Sequence, residues 1–395
     1  MTTMRDIYVV GGARTAIGTY GGSLRDIPLT KLATTVVKAA SERAGLPADE
    51  IGHVVLGNVI PTEPQDAYLA RVAAIDAGIP KETPAFNVNR LCGSGLQAII
   101  SAAQTIALND TDISIGGGAE SMSRGPYILP TTRWGARMGD ASVIDYMNGI
   151  LHDPWQRIHM GITAENVAAR YGITREMQDA LAYESQQRAA KAIADGRFDE
   201  QIVPIELKSR KGTTLFDTDE HVRAEVSLDS LSSMKPVFKK DGTVTAGNAS
   251  GINDGAAAVV LAAESKVKAL GLRPLARLVA YAQAGVEPEF MGIGPIPATR
   301  LALQRAGLRI SDLDVIESNE AFAAQAYAVS RELDLDPAKV NPNGSGISLG
   351  HPVGATGAIN TVKAIYELHR SGGKYALVTM CIGGGQGIAA IFERV

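Results

Sequence analysis

Short apolar runs alternate with helix-length amphipathic segments along most of the chain. IYVV (7–10) precedes a helical pattern near 29–44; HVVLGNVI (53–60) follows, then the apolar segment LQAIISAAQTIAL after Cys92, then DISIGG (112–117). Runs rich in Ile and Val, set apart by helix-length segments, predict an α/β domain around a buried sheet. From residue 276 the design repeats. ARLVAYA (276–282) leads to a helix near 297–306, then DVIESN (314–319), another helix and a glycine-rich bend at 350. KYALVTMCIGGGQGIAAIFE (374–393) closes the chain as two strands around a turn.

The two stretches share sequence as well as pattern. Arg43-Ala44-Gly45-Leu46 recurs as Arg305-Ala306-Gly307-Leu308, an offset of 262, and DEIGHVVLGN after the first copy parallels SDLDVIESNE after the second. Gly116–Gly118 align with Gly383–Gly385 at an offset of 267. Two matches at nearly one offset predict a duplication: two similar five-stranded mixed α/β halves packed face to face. The halves are expected at 1–120 (completed by 251–272) and at 273–395.

Between them, 121–250 reads differently. It holds both Trp, most of the Met and the charged, turn-rich tract LKSRKGTTLFDTDEHVRAEVSLDSLSSMKP. A helix is expected at 174–195, started by Thr174 with Glu176 in its first turn. Such a region is expected to be an insertion lying over the sheets.

A length of 395 residues exceeds one ordinary core. The balance of 38 basic and 42 acidic residues, net charge −4, argues against a dedicated nucleic-acid binder. The opening MTTMRDIYVV has only a four-residue apolar run and does not read as a secretory leader; no uninterrupted apolar stretch is long enough to span a bilayer. IFERV at the end is no peroxisomal or retention signal. Two cysteines do not make a disulfide framework, and a reducing cytoplasm is the expected compartment.

Cys92 precedes Gly93-Ser94-Gly95 and a helical pattern. A thiol at a helix N-terminus faces unpaired N–H groups and the positive end of the dipole, which favour thiolate. A lone cysteine is more often an inert buried side chain, so the company it keeps decides. His351 lies in the glycine-rich NPNGSGISLGHPVGATGA, Cys381 follows ALVTM and precedes three glycines, and Asn319 ends DVIES. All four fall at strand ends or helix starts, where α/β folds place their ligand crevices. No glycine run gives a G-x-G-x-x-G fingerprint with its downstream acid, so a dinucleotide site is not indicated.

Taken in order, NRLCGSG, GNASGINDGA, NEAFA, GHPVGATGA and CIGGGQG resemble the motifs of the thiolases, most closely the bacterial β-ketothiolase/acetyl-CoA acetyltransferase branch, and the resemblance runs essentially the whole chain. It implies a layered α-β-α-β-α thiolase-like fold of two duplicated mixed-sheet halves with an inserted loop domain, and reversible Claisen condensation of acyl-CoAs. Cys92 would be the acyl-accepting nucleophile, His351 its base, and Cys381 the acid/base for the substrate α-carbon. Asn319 would hold a water that forms one oxyanion hole with His351; the backbone N–H groups of Cys92 and Gly383 would form the other. CoA would meet Leu151, His159, Met160, Arg223, Ser230, Ser250, Ala321 and Phe322, with Met291 in the acyl pocket. The resemblance further implies a homotetramer, CoA thioesters as substrates, and no metal or redox cofactor.

Three rivals remain at this level. A cysteine hydrolase could use Cys92, His351 and Asn319 but has no use for Cys381. A decarboxylating ketoacyl-thioester synthase shares the nucleophile and one histidine but usually has a second histidine at Asn319. A non-catalytic acyl-CoA binder would tolerate loss of the Cys92 thiol.

Overall fold

The structure, a computed structural model, describes residues 5–210 and 212–395. The first four residues, where the leader reading begins, lie outside the described residues. The chain forms β1 (Ile7–Arg14), α1 (Leu29–Arg43), β2 (His53–Gly57), α2 (Leu69–Asp76), β3 (Ala85–Val88), α3 (Ser94–Ala107) and β4 (Ile113–Ser121). A long excursion follows with α4 (Met160–Tyr171) and α5 (Arg175–Ala194), and the chain returns as β5 (Asn253–Ala263). The pattern then repeats: β6 (Ala276–Gly285), α6 (Pro295–Ala306), β7 (Val315–Ser318), α7 (Ala323–Glu332), α8 (Thr356–Ser371), β8 (Tyr375–Ile382) and β9 (Gln386–Arg394).

Both halves build one sheet plan. In the first, β3, β2 and β4 are parallel neighbours, β5 lies antiparallel to β4, and β1 antiparallel to β5. In the second, β7 and β8 are parallel, β9 is antiparallel to β8, and β6 antiparallel to β9. The counterpart of β3 is reduced to a single parallel bridge between Ile316 and Val340. Five strands in each half is therefore corrected to five and four. The cause is Asn341, whose φ of +46° turns the chain away. Its side chain then replaces the missing ladder, accepting from the Ser318 N–H at 2.9 Å and donating to the Ser318 carbonyl at 2.8 Å.

The sheets meet at an edge, where β1 pairs antiparallel with β6 over Tyr8–Arg277 and Val9–Ala276. Helices α3 and α8 pack against each other between the sheets, α8 touching β5 and β4 of one and β8 and β7 of the other. Helices α1 and α2 cover the far face of the first sheet and α6 that of the second, giving the α-β-α-β-α layering. With both faces covered, β4 and β5 are buried along their whole lengths and show no polar alternation.

The glycine match at offset 267 does not mark equivalent positions. Strands β4 and β8 begin at 113 and 375, the offset of 262 shared by the two Arg-Ala-Gly-Leu copies. Those copies end α1 and α6 alike, with Gly45 and Gly307 at φ +66° and +67°, the left-handed conformation of a helix C-cap. Gly116–Gly118 instead lie mid-strand, where a Cβ on Gly118 would overlap the Gly354 carbonyl. Gly384 and Gly385, at φ +81° and +79°, make the β8–β9 turn.

The excursion is fastened to the first half by a buried ion pair. The Arg14 guanidinium donates to both Asp219 carboxylate oxygens at 2.8 and 2.9 Å, both side chains wholly buried, and Asp219 also accepts the Ile17 N–H. Helix α5 begins at Thr174 as the sequence predicts, its hydroxyl accepting the Met177 N–H. No helix among the described residues is long and apolar enough to cross a membrane.

Candidate active site

Cys92 lies in the turn joining β3 to α3. Leu91 just before it has φ +45°, a conformation that costs a residue with a Cβ about 1–3 kcal/mol and persists only where its surroundings fix it. Here Asn89 Oδ1 accepts the Leu91 N–H at 2.9 Å, and Ser94 Oγ accepts the Arg90 N–H at 2.8 Å while donating to the Leu91 carbonyl at 2.7 Å. The Cys92 sulfur accepts the backbone N–H of Gly383 and its own.

Those donors do not make it a resting thiolate. Burial dominates and pushes the Cys92 thiol up to about 11, with the backbone hydrogen bonds opposing and the Glu120 carboxyl adding to the rise. The expectation of a depressed thiol is thus corrected. The Gly93 and Ser94 N–H groups bond the Arg90 and Leu91 carbonyls rather than sulfur, and the thiol packs among Val59, Ile60, Met122, Met147 and Val353.

His351 comes from the second half, after Gly350 and before α8. Its N–H donates to Asn253 Oδ1 at 2.9 Å, Nδ1 lies 2.6 Å from Thr356 Oγ1, and Nε2 lies 3.4 Å from Asn319 Nδ2. Burial lowers the imidazole to about 4, so the ring is neutral near pH 7. Asn319 follows β7, its N–H bonded to the Thr379 carbonyl at 3.0 Å, and its Oδ1 is buried without a hydrogen-bond partner among the described residues. Cys381, at the end of β8, is fully buried among Met160, Ala249, Met291, Ala321 and Phe322. Burial raises its pKa, and the Cys92 charge raises it further, so the sulfurs of the two halves feel each other electrostatically. A neutral thiol that shares a cavity with a neutral imidazole can attack a carbonyl by passing its proton to the ring during bond formation.

Cys92 and His351 border a cavity of about 400 Å³. Thirteen of its twenty-four lining residues belong to 121–250. Of the residues singled out from the sequence, Cys92, His351, Gly383, Leu151, His159, Met160, Arg223, Ser250, Ala321, Phe322 and Met291 line it. Cys381 and Asn319 lie behind that lining, coupled to Cys92 and His351 as described. Ser250 and Ala321 are held together by the Ser250 N–H bonded to the Ala321 carbonyl at 2.9 Å, next to a bridge between Ala249 and Phe322. His159 caps α4 by accepting the Gly161 N–H on Nδ1 and stacks on Phe238, ring centroids 4.5 Å apart. Burial, then the neighbouring His152, lowers its pKa to about 4. Ser230 does not reach the cavity: it is exposed, its hydroxyl donating to the Ser227 carbonyl and its N–H to the Ser227 hydroxyl to start a short helix.

Some participants escaped the sequence reading. Phe238 and His221 line the cavity, yet sit in a charged tract without a periodic signal. Glu120 is wholly buried and collects the Val59, Ile60 and Gly354 N–H groups at 2.8–3.0 Å and the Asn58 amide at 2.8 Å, tying the wall beside Cys92 to the His351 loop. Burial pushes its carboxyl up to about 8 against those donors. A single acid inside IGGGAES was the available sign. Among the described residues, no group of three or more His, Cys, Asp or Glu side chains is arranged to hold a metal ion.

The thiolase N-terminal domain family matches residues 7–265 and the thiolase C-terminal domain family residues 272–394. The chain belongs to the thiolase family, a family of acyltransferases. Its relatives include the beta-ketothiolase BktB of Cupriavidus necator, 64% identical over 392 residues that cover 99% of this chain and 100% of the relative. Solved structures agree. The acetyl-CoA acetyltransferase of Bacillus anthracis superposes with a TM-score of 0.98 at 46% identity over 100% of both chains. Human mitochondrial 3-ketoacyl-CoA thiolase in complex with CoA does so with a TM-score of 0.96 at 45% identity, covering 99% of this chain and 98% of that one.

Proposed function

We propose that this chain is a β-ketothiolase that condenses acetyl-CoA with a second short acyl-CoA to a 3-ketoacyl-CoA and free CoA, reversibly, through an acyl-Cys92 intermediate. The observation that carries the reading is the convergence of the Cys92 thiol and the neutral His351 imidazole from opposite halves on one cavity, with the second free thiol, Cys381, behind its lining and electrostatically coupled to Cys92.

In condensation the Cys92 sulfur adds to the thioester carbonyl of acetyl-CoA while His351 takes its proton. The tetrahedral oxyanion collapses, and CoA leaves with that proton, so one hard step becomes two easier ones. Cys381 gives its proton to the His351 imidazole, neutral again once CoA has left, and as thiolate removes an α proton from the second acyl-CoA. The carbanion attacks acetyl-Cys92 and expels the Cys92 sulfur, which regains the proton that Cys381 had given up. The thioester itself makes the α proton removable, provided the enolate oxygen is stabilised. Asn319 with His351 would serve the enolate and the N–H groups of Cys92 and Gly383 the tetrahedral oxyanion. At rest those two N–H groups bond the Cys92 sulfur, so they lie next to the acyl oxygen that becomes the oxyanion once sulfur adds to its carbon. Cleavage reverses each step; the thiol form of Cys381, which burial favours, then protonates the departing enolate.

The mostly apolar walls at Met160, Met291, Ala321 and Phe322 suit pantetheine and a short acyl chain, and the exposed Arg223 suits a phosphate of CoA. We assign the CoA-binding part to 121–250, the catalytic halves to 1–120 with 251–272 and to 273–395, and the working form to a homotetramer. The reaction so written uses no metal or redox cofactor. Because it needs both cysteines as free thiols, a reducing cytoplasm is the fitting compartment. A decarboxylating synthase finds no support, since Asn319 stands where a second histidine would be needed.

The test is mass spectrometry after mixing with acetyl-CoA. A 1:1 acetyl adduct on the Cys92 peptide, discharged by added CoA, is expected; no adduct at that peptide ends the proposal.

A further inference from the structure

We infer that Thr356 is a positioning residue that fixes the tautomer of His351. The claim rests on the reading of His351 as the proton acceptor. A neutral imidazole carries its proton on one ring nitrogen, and only the other can serve as base. In His351 each nitrogen has one neighbour: Thr356 Oγ1 at 2.6 Å from Nδ1 and Asn319 Nδ2 at 3.4 Å from Nε2.

Thr356 decides which nitrogen holds the proton. Its hydroxyl has a single hydrogen, and that hydrogen goes to the Pro352 carbonyl, 2.9 Å away and four residues back, the ordinary partner of a threonine in the first turn of a helix. Toward His351 the hydroxyl oxygen can only accept. Nδ1 therefore carries the proton, and Nε2 keeps its lone pair. The Asn319 amide agrees, since it presents a donor to Nε2. Thr356 is 2% exposed, so water does not compete for either bond. When Nε2 takes the Cys92 proton, the ring becomes cationic and its Nδ1–H bond to Thr356 becomes charge-assisted. Thr356 thus orients the resting base and favours its protonated form. Only Ser or Thr can accept from Nδ1 while donating to the Pro352 carbonyl at this spacing.

The experiment compares Thr356→Val, nearly isosteric but without the hydroxyl, with Thr356→Ser, which keeps it. With acetoacetyl-CoA and CoA, Thr356→Val is expected to lower kcat about 10–100-fold, the scale of a weakened general base, with KM within about twofold. Iodoacetamide labelling of Cys92 at pH 7 should slow in parallel, and Thr356→Ser should return both to within a few-fold of the native rates. Nitrogen-15 spectra of the histidine rings should place the His351 proton on Nδ1 in the native chain and the Ser variant. Equal losses in Val and Ser variants would show a packing role and overturn the inference, as would a native-like Val variant. If the Val variant does not fold, an Nε2–H tautomer in the native spectrum overturns it alone. His351→Ala separates the two claims: unchanged Cys92 labelling there defeats the base assignment itself, whereas slowed labelling there with a native-like Thr356→Val defeats only the present inference.

Discussion

In the first half of the molecule the chain passes from β3 to α3 through residues 89–93. In the second it passes from the Val340 bridge to α8 through residues 341–355. The short turn has room for one reactive side chain, and it holds Cys92 by means of the left-handed Leu91 and the Ser94 bonds. The long loop has given up a strand and gained His351, seated by Asn253, Thr356 and Asn319. The same contrast appears at the ends of β4 and β8. The first half places there Glu120, which organises backbone, and the second places Cys381, a thiol. Duplication supplied two equivalent crevices facing a common helix layer, and divergence made one the seat of acyl capture and the other the seat of proton handling.

That division can be broken most sharply at the sulfurs. Cys92→Ala should lower turnover by three orders of magnitude or more, the scale of losing the nucleophile from a coupled set. Cys381→Ala should abolish condensation while still forming stoichiometric acetyl-Cys92, detectable by intact mass. Retained condensation in the Cys381 variant would erase the contrast between the halves. Next in size, Asn319→Ala should lower kcat by about 10²–10³, as removal of an oxyanion donor does, measured in the thiolysis direction. Loss of Asp219 probes architecture rather than chemistry. Asp219→Ala strands a buried Arg14 and should cost about 3–5 kcal/mol of stability in urea titrations.

A smaller and more diagnostic effect is one of pH. Burial raises the Cys92 thiol to about 11, so thiolate is scarce below that value and increases about tenfold per unit as pH rises towards it. In His351→Ala, where no base assists, iodoacetamide labelling of Cys92 should climb at that slope from pH 7 to 10. A plateau below pH 8 would mean that the helix terminus outweighs burial after all. The smallest effect is expected at Met291. Met291→Ala should shift preference towards longer 3-ketoacyl-CoAs by roughly tenfold in kcat/KM, the worth of a methylene or two in an apolar pocket.

Much of this was legible in the chain. The apolar runs gave β1, β4, β6, β8 and β9 nearly in place, the Arg-Ala-Gly-Leu copies marked equivalent helix ends, and glycine-flanked Cys92, His351 and Cys381 stood out. The parts that were not legible depend on distant partners. Nothing local distinguishes the glycines of β4, kept small by α3 and the Gly354 carbonyl, from those of the β8–β9 turn. The loss of a strand at Val340 depends on Asn341 reaching Ser318 across the fold. The Cys92 thiol follows its apolar surroundings rather than the helix beside it. Ser230 sits in a tract whose register over the cavity no motif fixes, and there its capping partner Ser227 claims it.

Among the described residues the two sheets pair backbone to backbone at two positions, Tyr8–Arg277 and Val9–Ala276, so their relative placement depends on α3 and α8, the helices that also begin beside Cys92 and His351. Turnover is therefore a strain gauge for the middle layer. A substitution that lets these helices slip past each other by even a fraction of an ångström would silence the enzyme while leaving each half folded, and a catalytic assay would register it well before any melting curve did.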